Sequence, residues 1–371
     1  FLYFIGSWCP GVDRMGNQLT TVGAGAANLD VSTVNNKVAL VTPLGRRRGR
    51  LFNSAHCRYA EERRDVVARL LLRAYGDAEQ SLAVADQERI FAAIEGAIRK
   101  ARPSQEGDLR APRPVHLLMY TSTKVTDRAV YLERPFVAFS LADRLRQRPF
   151  MGHARRLFTV YQLFQAVREL HHDYGISHGD LKHENVLLSS SGWLYVTDIA
   201  PYKPTVIESF NPANFEFFFD CSETRVCTLA PERFRNADGD EEAPAAQAAD
   251  QAAEPGTSPT TSSPAAQKPA TPPPVTTKRP YYAADGDGYS IRPVAEASEV
   301  FSAACIAVHI LTDEPLFKLS NVLELRAKQT VEERRAYVMD ALAGFPRIPD
   351  AEKDFIADAL VGYVPEDGDA E

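Results

Sequence analysis

The stretch Ser-His-Gly-Asp-Leu-Lys-His-Glu-Asn-Val-Leu-Leu (177–188), followed by Trp-Leu-Tyr-Val-Thr-Asp-Ile-Ala (193–200), constrains the fold of this chain more than any other. Upstream, residues 154–174 set Leu157, Val160, Tyr161, Phe164, Val167 and Leu170 at helical spacing. Downstream, the apolar runs 186–188 and 193–197 flank Ser-Ser-Ser-Gly, the pattern of a small hairpin. The polar run therefore leaves a helix and enters a hairpin, with Asp180 and Asn185 in the loop and Asp198 just past the second strand. Oxygen ligands so placed can hold Mg²⁺ against phosphates, since that ion takes a few carboxylates or amides plus phosphate oxygens. Lys182 adds positive charge where a transferred phosphoryl group needs it, and Asp180 can accept a hydrogen bond from a hydroxyl nucleophile and orient it.

Other segments give the surrounding order. Residues 1–40 have no strong period and read as an extended lead-in. Apolar runs at 50–57, 66–75, 115–120 and 128–133 predict strands, with a polar turn at 121–127. Helical spacing covers 86–100, 140–146, 295–311, 331–342 and 351–360. Residues 236–255 are acidic, Ala-rich and free of basic residues, and 256–280 are a Ser/Thr/Pro/Ala tract. Neither can bury enough apolar surface to offset chain entropy, so 235–288 reads as a disordered insertion. Its Ser-Pro and Thr-Pro pairs (258–259, 263–264, 271–272) make it either a docking loop regulated by phosphorylation or an unconstrained linker. The expectation is an α+β chain of two lobes: a small sheet-rich lobe at 41–135, then a helical lobe at 136–234 and 289–371 interrupted by the insertion.

Most of the net charge of −7 lies in that insertion, so a nucleic-acid-binding surface is not expected. No apolar run reaches the ~20 residues that a bilayer-spanning helix needs. Five cysteines, odd in number, far apart and without metal-ligand spacing, read as reduced cytosolic thiols. The chain starts at Phe1, as a fragment, a processed product or a start placed upstream of the true one would. Met15 opens Met-Gly-Asn-Gln-Leu-Thr (15–20), which fits the N-myristoylation pattern with Gly16 as acceptor if Met15 is the initiator.

The H-x-D-x-K-x-x-N run, the Asp after the strand and Ala230-Pro231-Glu232 resemble a protein kinase. More narrowly, His-Gly-Asp-Leu-Lys-His-Glu-Asn-Val, Thr-Asp-Ile-Ala-Pro-Tyr-Lys-Pro, Asn-Pro-Ala-Asn-Phe-Glu-Phe-Phe-Phe-Asp (211–220) and Cys-Thr-Leu-Ala-Pro-Glu-Arg-Phe (227–234) resemble one branch. That branch is the regulatory Ser/Thr protein kinase subunit of the class III phosphatidylinositol 3-kinase complex, of vacuolar sorting and autophagy. Its members also begin Met-Gly-Asn-Gln-Leu. The resemblance implies transfer of the ATP γ-phosphoryl to protein hydroxyls, with ATP and Mg²⁺ as cofactors. Asp180 would be the catalytic-loop aspartate, Lys182 its lysine, and Asn185 and Asp198 the metal ligands. The implied partners are the class III lipid kinase catalytic subunit, its complex members and protein substrates. The implied location is cytoplasmic, peripheral on endosomal, vacuolar or autophagic membranes, with the Gly16 myristoyl group as one contact.

The sequence also departs from the kinase pattern. Gly45 opens what should be a phosphate-covering loop, but Arg46-Arg47-Arg48-Gly49-Arg50 is not G-x-G-x-x-G, and solvated basic surface fits it equally. Arg73 stands where strand three should carry its Lys, with Arg69 as the alternative; Glu88, or else Glu95, is the expected helix partner. Gly179 replaces the Arg that often precedes the catalytic Asp and pairs with an activation-loop phosphate, so no such switch is expected. Glu299 replaces an Asp that buttresses the loop, Ala304 a Gly, Gly368 the Arg that pairs with the Glu of Ala-Pro-Glu, and Arg225 a loop-bracing Thr. These departures leave a second reading open: a catalytically weak, nucleotide-holding scaffold that tethers a lipid kinase to membrane.

Overall fold

The computed structural model describes residues 35, 37–44, 52–72, 84–101, 114–126, 129–208, 215, 218–219, 226–235 and 296–361. Gly16, Gly45, the arginines at 46–50, Arg73, Arg225, residues 236–288 and the 364–368 motif lie outside the described residues.

Five strands form an antiparallel sheet in the spatial order β1 (Val38–Leu44), β2 (Asn53–Tyr59), β3 (Arg64–Leu72), β6 (Ala129–Pro135), β5 (Ser122–Val125). β3 is central and apolar on both faces, which is why it reads as a run rather than an alternation. Val66, Ala68 and Leu70 pack with Val38, Ala55, Cys57, Ala129 and Tyr131. Leu71, on the opposite face, joins Val130, Leu132 and the Ile90, Ile94 and Ile98 side of helix α1 (Val84–Ala101). Each buried Ile or Leu of this kind contributes about 1.5–3 kcal/mol, so the α1 face holds the helix to the sheet. Ser122–Val125 was expected to be a turn; it is strand β5, with Ser122 opposite Glu133 and Val125 opposite Val130. An edge strand needs little apolar surface, and its polar composition imitates a loop.

The second lobe is helical among the described residues. It contains α2 (Leu141–Arg146), α3 (His153–Arg168), α4 (Glu296–Thr312), α5 (Leu319–Arg326), α6 (Val331–Ala343) and α7 (Asp350–Val361). Ser140 and Asp143 close α2 in a reciprocal capping box, and Thr330 with Glu333 does the same for α6. α4 is buried on nearly every side and forms the axis of the lobe. α5 had no expected counterpart, because its apolar positions are too few to stand out.

A second sheet, β4 (Leu117–Leu118), β9 (Leu194–Thr197), β8 (Val186–Leu188), β7 (Phe139–Ser140), sits where the lobes meet. β8 and β9 are the expected hairpin, with Leu187 opposite Tyr195. β4 runs parallel to β9 and ties the segment after α1 to the strand that delivers Asp198. Glu169 fixes that segment by accepting from the backbone N–H of Val115 at 2.6 Å and of His116 at 2.8 Å. The architecture is the two-lobed protein-kinase fold, sheet-rich first and helical second. No described helix is long and apolar enough to cross a membrane.

Candidate active site

α3 runs on through a π-helical turn (Glu169–Asp173) and ends in a loop with two left-handed glycines, Gly175 (φ 58°) and Gly179 (φ 80°). Gly179 is required twice over. Its φ disfavours any other residue, and a Cβ there would lie 2.3 Å from the carbonyl oxygen of Ala200. The Arg that this position often carries has no room, which gives a structural reason for its absence. The peptide is then held from three sides. Glu299 on α4 accepts from Gly179 N–H at 2.8 Å and pairs with His171 Nε2 at 2.6 Å. Arg233 donates to the carbonyls of Gly179, Pro204 and Thr205. Thr228 Oγ1 donates to Leu181 O at 2.9 Å, so the loop is braced by a threonine two residues before Ala230. The extra methylene of Glu299, relative to Asp, gives the reach for two partners. His178, fully buried, lies 2.9 Å through Nε2 from Thr197 O and accepts from Asp180 N–H at Nδ1. Burial holds its pKa below the usual histidine value, and the hydrogen-bond network assigns the neutral Nε2–H form.

Asp180 and Asn185 come together as expected. Asn185 Nδ2 donates to Asp180 O at 2.8 Å and to Oδ2 at 3.2 Å. Oδ2 also receives Lys203 Nζ at 2.7 Å and lies 3.3 Å from Lys182 Nζ, which donates to Phe219 O. Oδ1 accepts no hydrogen bond among the described residues. Burial alone would raise the Asp180 pKa, but Lys182 and Lys203 outweigh it and keep the carboxyl below its usual range.

Asp198 has the opposite surroundings. It adopts φ 60°, a left-handed conformation uncommon outside glycine, and faces the sheet. Arg134 donates through Nε to Oδ1 at 2.9 Å and through Nη2 to Oδ2 at 3.3 Å. Arg69 Nη1 lies 3.3 Å from Oδ1, and Tyr120 donates to the same oxygen at 3.3 Å. Arg69 also donates to Tyr120 OH at 2.6 Å and lies over the Phe52 ring. Arg134 and Arg69 overcome the upward push of burial and hold this carboxyl well below the carboxylate range.

The alternative assignment on strand three is thus the residue the structure brings to the site: Arg69 reaches Asp198, and Arg73 is not among the described residues. Arg69 shares its face of β3 with Val67 and Leu71, toward α1 and the cleft. Glu88 is not brought to it. The side of α1 that faces the sheet is set by Ile90, Ile94, Ala97 and Ile98, which leaves Glu88 exposed and Glu95 half-buried with no ion pair to Arg69 among the described residues. Tyr120 and Asp198 stand as the partners instead. Glu232 receives Ser298 Oγ at 2.6 Å and lies close enough to Arg334 for charge attraction, while its Oε2 has no hydrogen-bond partner among the described residues. Sequence reasoning missed Arg134, Lys203, Tyr120 and Thr228. The signal for Arg134 was a Glu-Arg pair ending an apolar strand before Pro135, and for Arg69 a lone charge within Val-Val-Ala-Arg-Leu-Leu-Leu.

Asp198 and Asn185 are hard-oxygen donors of the type a divalent ion takes. Their arrangement does not fit one, because both Asp198 oxygens already hold guanidinium protons. Among the described residues no group of three or more His, Cys, Asp or Glu side chains is placed to hold a metal. What the arrangement offers directly is a carboxylate with one open oxygen at Asp180, flanked by two ammonium groups.

No protein-family model matches the chain. The serine/threonine-protein kinase vps15 of Schizosaccharomyces pombe is 42% identical over 209 residues, 56% of this chain and 9% of that protein. The serine/threonine-protein kinase VPS15 of Arabidopsis thaliana is 34% identical over 223 residues, 59% of this chain and 14% of that protein. The namesake of Saccharomyces cerevisiae is 40% identical over 122 residues, 33% of this chain and 8% of that protein. The matched stretches therefore span only a small part of these relatives' own length. In its motifs, its two-lobed fold and these matched stretches, the chain is similar to the kinase part of VPS15 serine/threonine-protein kinases.

Proposed function

We propose that this chain is the kinase module of a regulatory Ser/Thr protein kinase of vacuolar sorting, which transfers the γ-phosphoryl of ATP to a protein hydroxyl. The observation that carries this reading is the state of Asp180. Its Oδ2 is held by Asn185, Lys203 and Lys182, and its Oδ1 is open to accept from an incoming hydroxyl. In the transfer the hydroxyl gives its proton to Asp180, its oxygen bonds to the γ-phosphorus, the bond from phosphorus to the bridging oxygen breaks, and ADP leaves. Asp180 aligns the nucleophile, and Lys182 supports the charge on the moving phosphoryl group. On the same reading the nucleotide is loaded with a divalent ion, Mg²⁺ being the expected one, and the module works beside a class III phosphatidylinositol 3-kinase catalytic subunit. A myristoyl group on Gly16 would give marginal membrane affinity, so contacts with partners would supply the rest on endosomal, vacuolar or autophagic membranes.

A second reading is favoured by the hold of Arg134 on Asp198: a scaffold that binds nucleotide and turns it over slowly or not at all. One experiment addresses both. Transfer from γ-labelled MgATP by the wild type, absent in Asp180→Ala while both proteins are thermally stabilised by nucleotide, is the expected result. Undiminished transfer by Asp180→Ala refutes the assignment, and stabilisation without transfer by the wild type favours the scaffold.

A further inference from the structure

We infer that Lys203 is a positioning residue of the phosphoryl-transfer step, holding Asp180 so that its free oxygen faces the nucleophile; the inference rests on the kinase reading above.

The backbone puts Lys203 there by a tight turn. Its N–H donates to Ala200 O at 3.0 Å, and Pro201 occupies the second position of the turn, where its fixed φ is favoured. Ala200 is itself pinned: its N–H donates to His178 O at 2.7 Å, and its carbonyl fills the space beside Gly179. The side chain of Lys203 then runs inward over the Phe219 ring at 4.9 Å and ends 2.7 Å from Asp180 Oδ2. Both partners are buried, with side chains 9% and 8% exposed.

Three donors thus converge on Oδ2, and Lys203 is the nearest of them. Lys182 lies farther away and is shared with Phe219 O. Asn185 is shared with the Asp180 carbonyl. Loading one oxygen fixes the plane of the carboxylate and leaves the other for substrate, and a misplacement of about 1 Å at a reacting group costs about 100-fold in rate. Burial brings the Lys203 pKa down to about 8 against the pull of Asp180, so the chain keeps a desolvated ammonium against this carboxylate. Lys203 also sits on the segment between Asp198 and Ala-Pro-Glu, so any shift of that segment moves the aspartate's anchor with it.

The test measures transfer from γ-labelled MgATP to dephosphorylated casein by the wild type, Lys203→Met and Lys203→Arg, with ATP affinity and thermal unfolding read on the same proteins. Expected is a fall in kcat of about 100-fold in Lys203→Met, a KM for ATP within about twofold of the wild type, and recovery of most of the rate in Lys203→Arg. A purely structural role would lower the melting temperature and the active fraction without this split. If Lys203→Met does not fold, Lys203→Leu, which also removes the donor, decides by the same criterion. Wild-type kcat in the Met or Leu variant overturns the positioning role and leaves the kinase reading intact. A wild type that binds ATP but transfers nothing overturns the kinase reading and this role together.

Discussion

The two carboxylates of the cleft, Asp180 on the helical side and Asp198 beneath the sheet, are both buried and both flanked by cations, yet they are held in different ways. Asp180 has its donors gathered on one oxygen, and the other is open. Asp198 has a guanidinium across both oxygens and a second guanidinium and a phenol on Oδ1. A carboxylate held on one side can still orient a substrate. One clamped on both must release its partners before it can take a metal. The helical half of the site is therefore ready for its role, and the sheet half is occupied by the chain's own arginines.

The strongest way to break the ready half is to restore the residue that kinases often carry at position 179. Gly179→Arg forces a Cβ to within 2.3 Å of Ala200 O at φ 80°, so a loss of about 3 kcal/mol or more is expected. Thermal unfolding reads it, and an Arg variant as stable as the wild type would mean that the loop is not seated as described. Glu299→Asp is the next test. One methylene shorter, the acid cannot bridge Gly179 N–H and His171 together, and a cost of about 1–2 kcal/mol is expected. An unchanged melting temperature would remove Glu299 from the buttress.

A pH-dependent effect, spread over several pH units, separates the two halves further. His183 and His309 lie 3.0 Å apart through Nε2 and Nδ1, and burial, first of all, lowers their pKa values to about 3 and about 4. Both are neutral in the folded chain and take up protons on unfolding below the usual histidine value of 6.5. Stability is then fully present above pH 6.5 and falls on acidification toward pH 4, by at most about 1.4 kcal/mol per pH unit for each histidine. Melting temperatures from pH 7.5 to 4.5 should show that slope, and His309→Asn should flatten it; an equal slope in the variant would assign it to other groups. Asp198 adds its own loss only below its unfolded value near 3.8, as it is protonated and Arg134 and Arg69 lose their partner.

What the sequence made legible follows the same division. The loop 177–188, the hairpin and Asp198 were readable because their chemistry is local: a few residues in fixed order between a helix and two short strands. The helices at 295–311, 331–342 and 351–360 were readable from their period. The sheet side was not, because its chemistry is assembled across strands. Arg69 and Arg134 come from β3 and β6, and only register brings them to one carboxylate. Strand β5 passed for a turn because an edge strand can be polar. Lys203 was in view within Ala-Pro-Tyr-Lys-Pro, but its reach depends on a turn that packs against Gly179, which no linear pattern reveals. Glu88 is exposed because helical phase turns it away from the sheet, and Arg73, its expected partner, lies outside the described residues.

The unequal hold on the two carboxylates is tested most directly by measuring ATP binding across a Mg²⁺ titration for the wild type and Arg134→Lys. Lysine keeps the charge but cannot span both oxygens of Asp198, so the variant should reach half-maximal binding at a Mg²⁺ concentration several-fold lower than the wild type, while ATP binding remains. An unchanged or higher Mg²⁺ requirement in Arg134→Lys would contradict the account, because Asp198 would then be as available to a metal with its bidentate partner as without it.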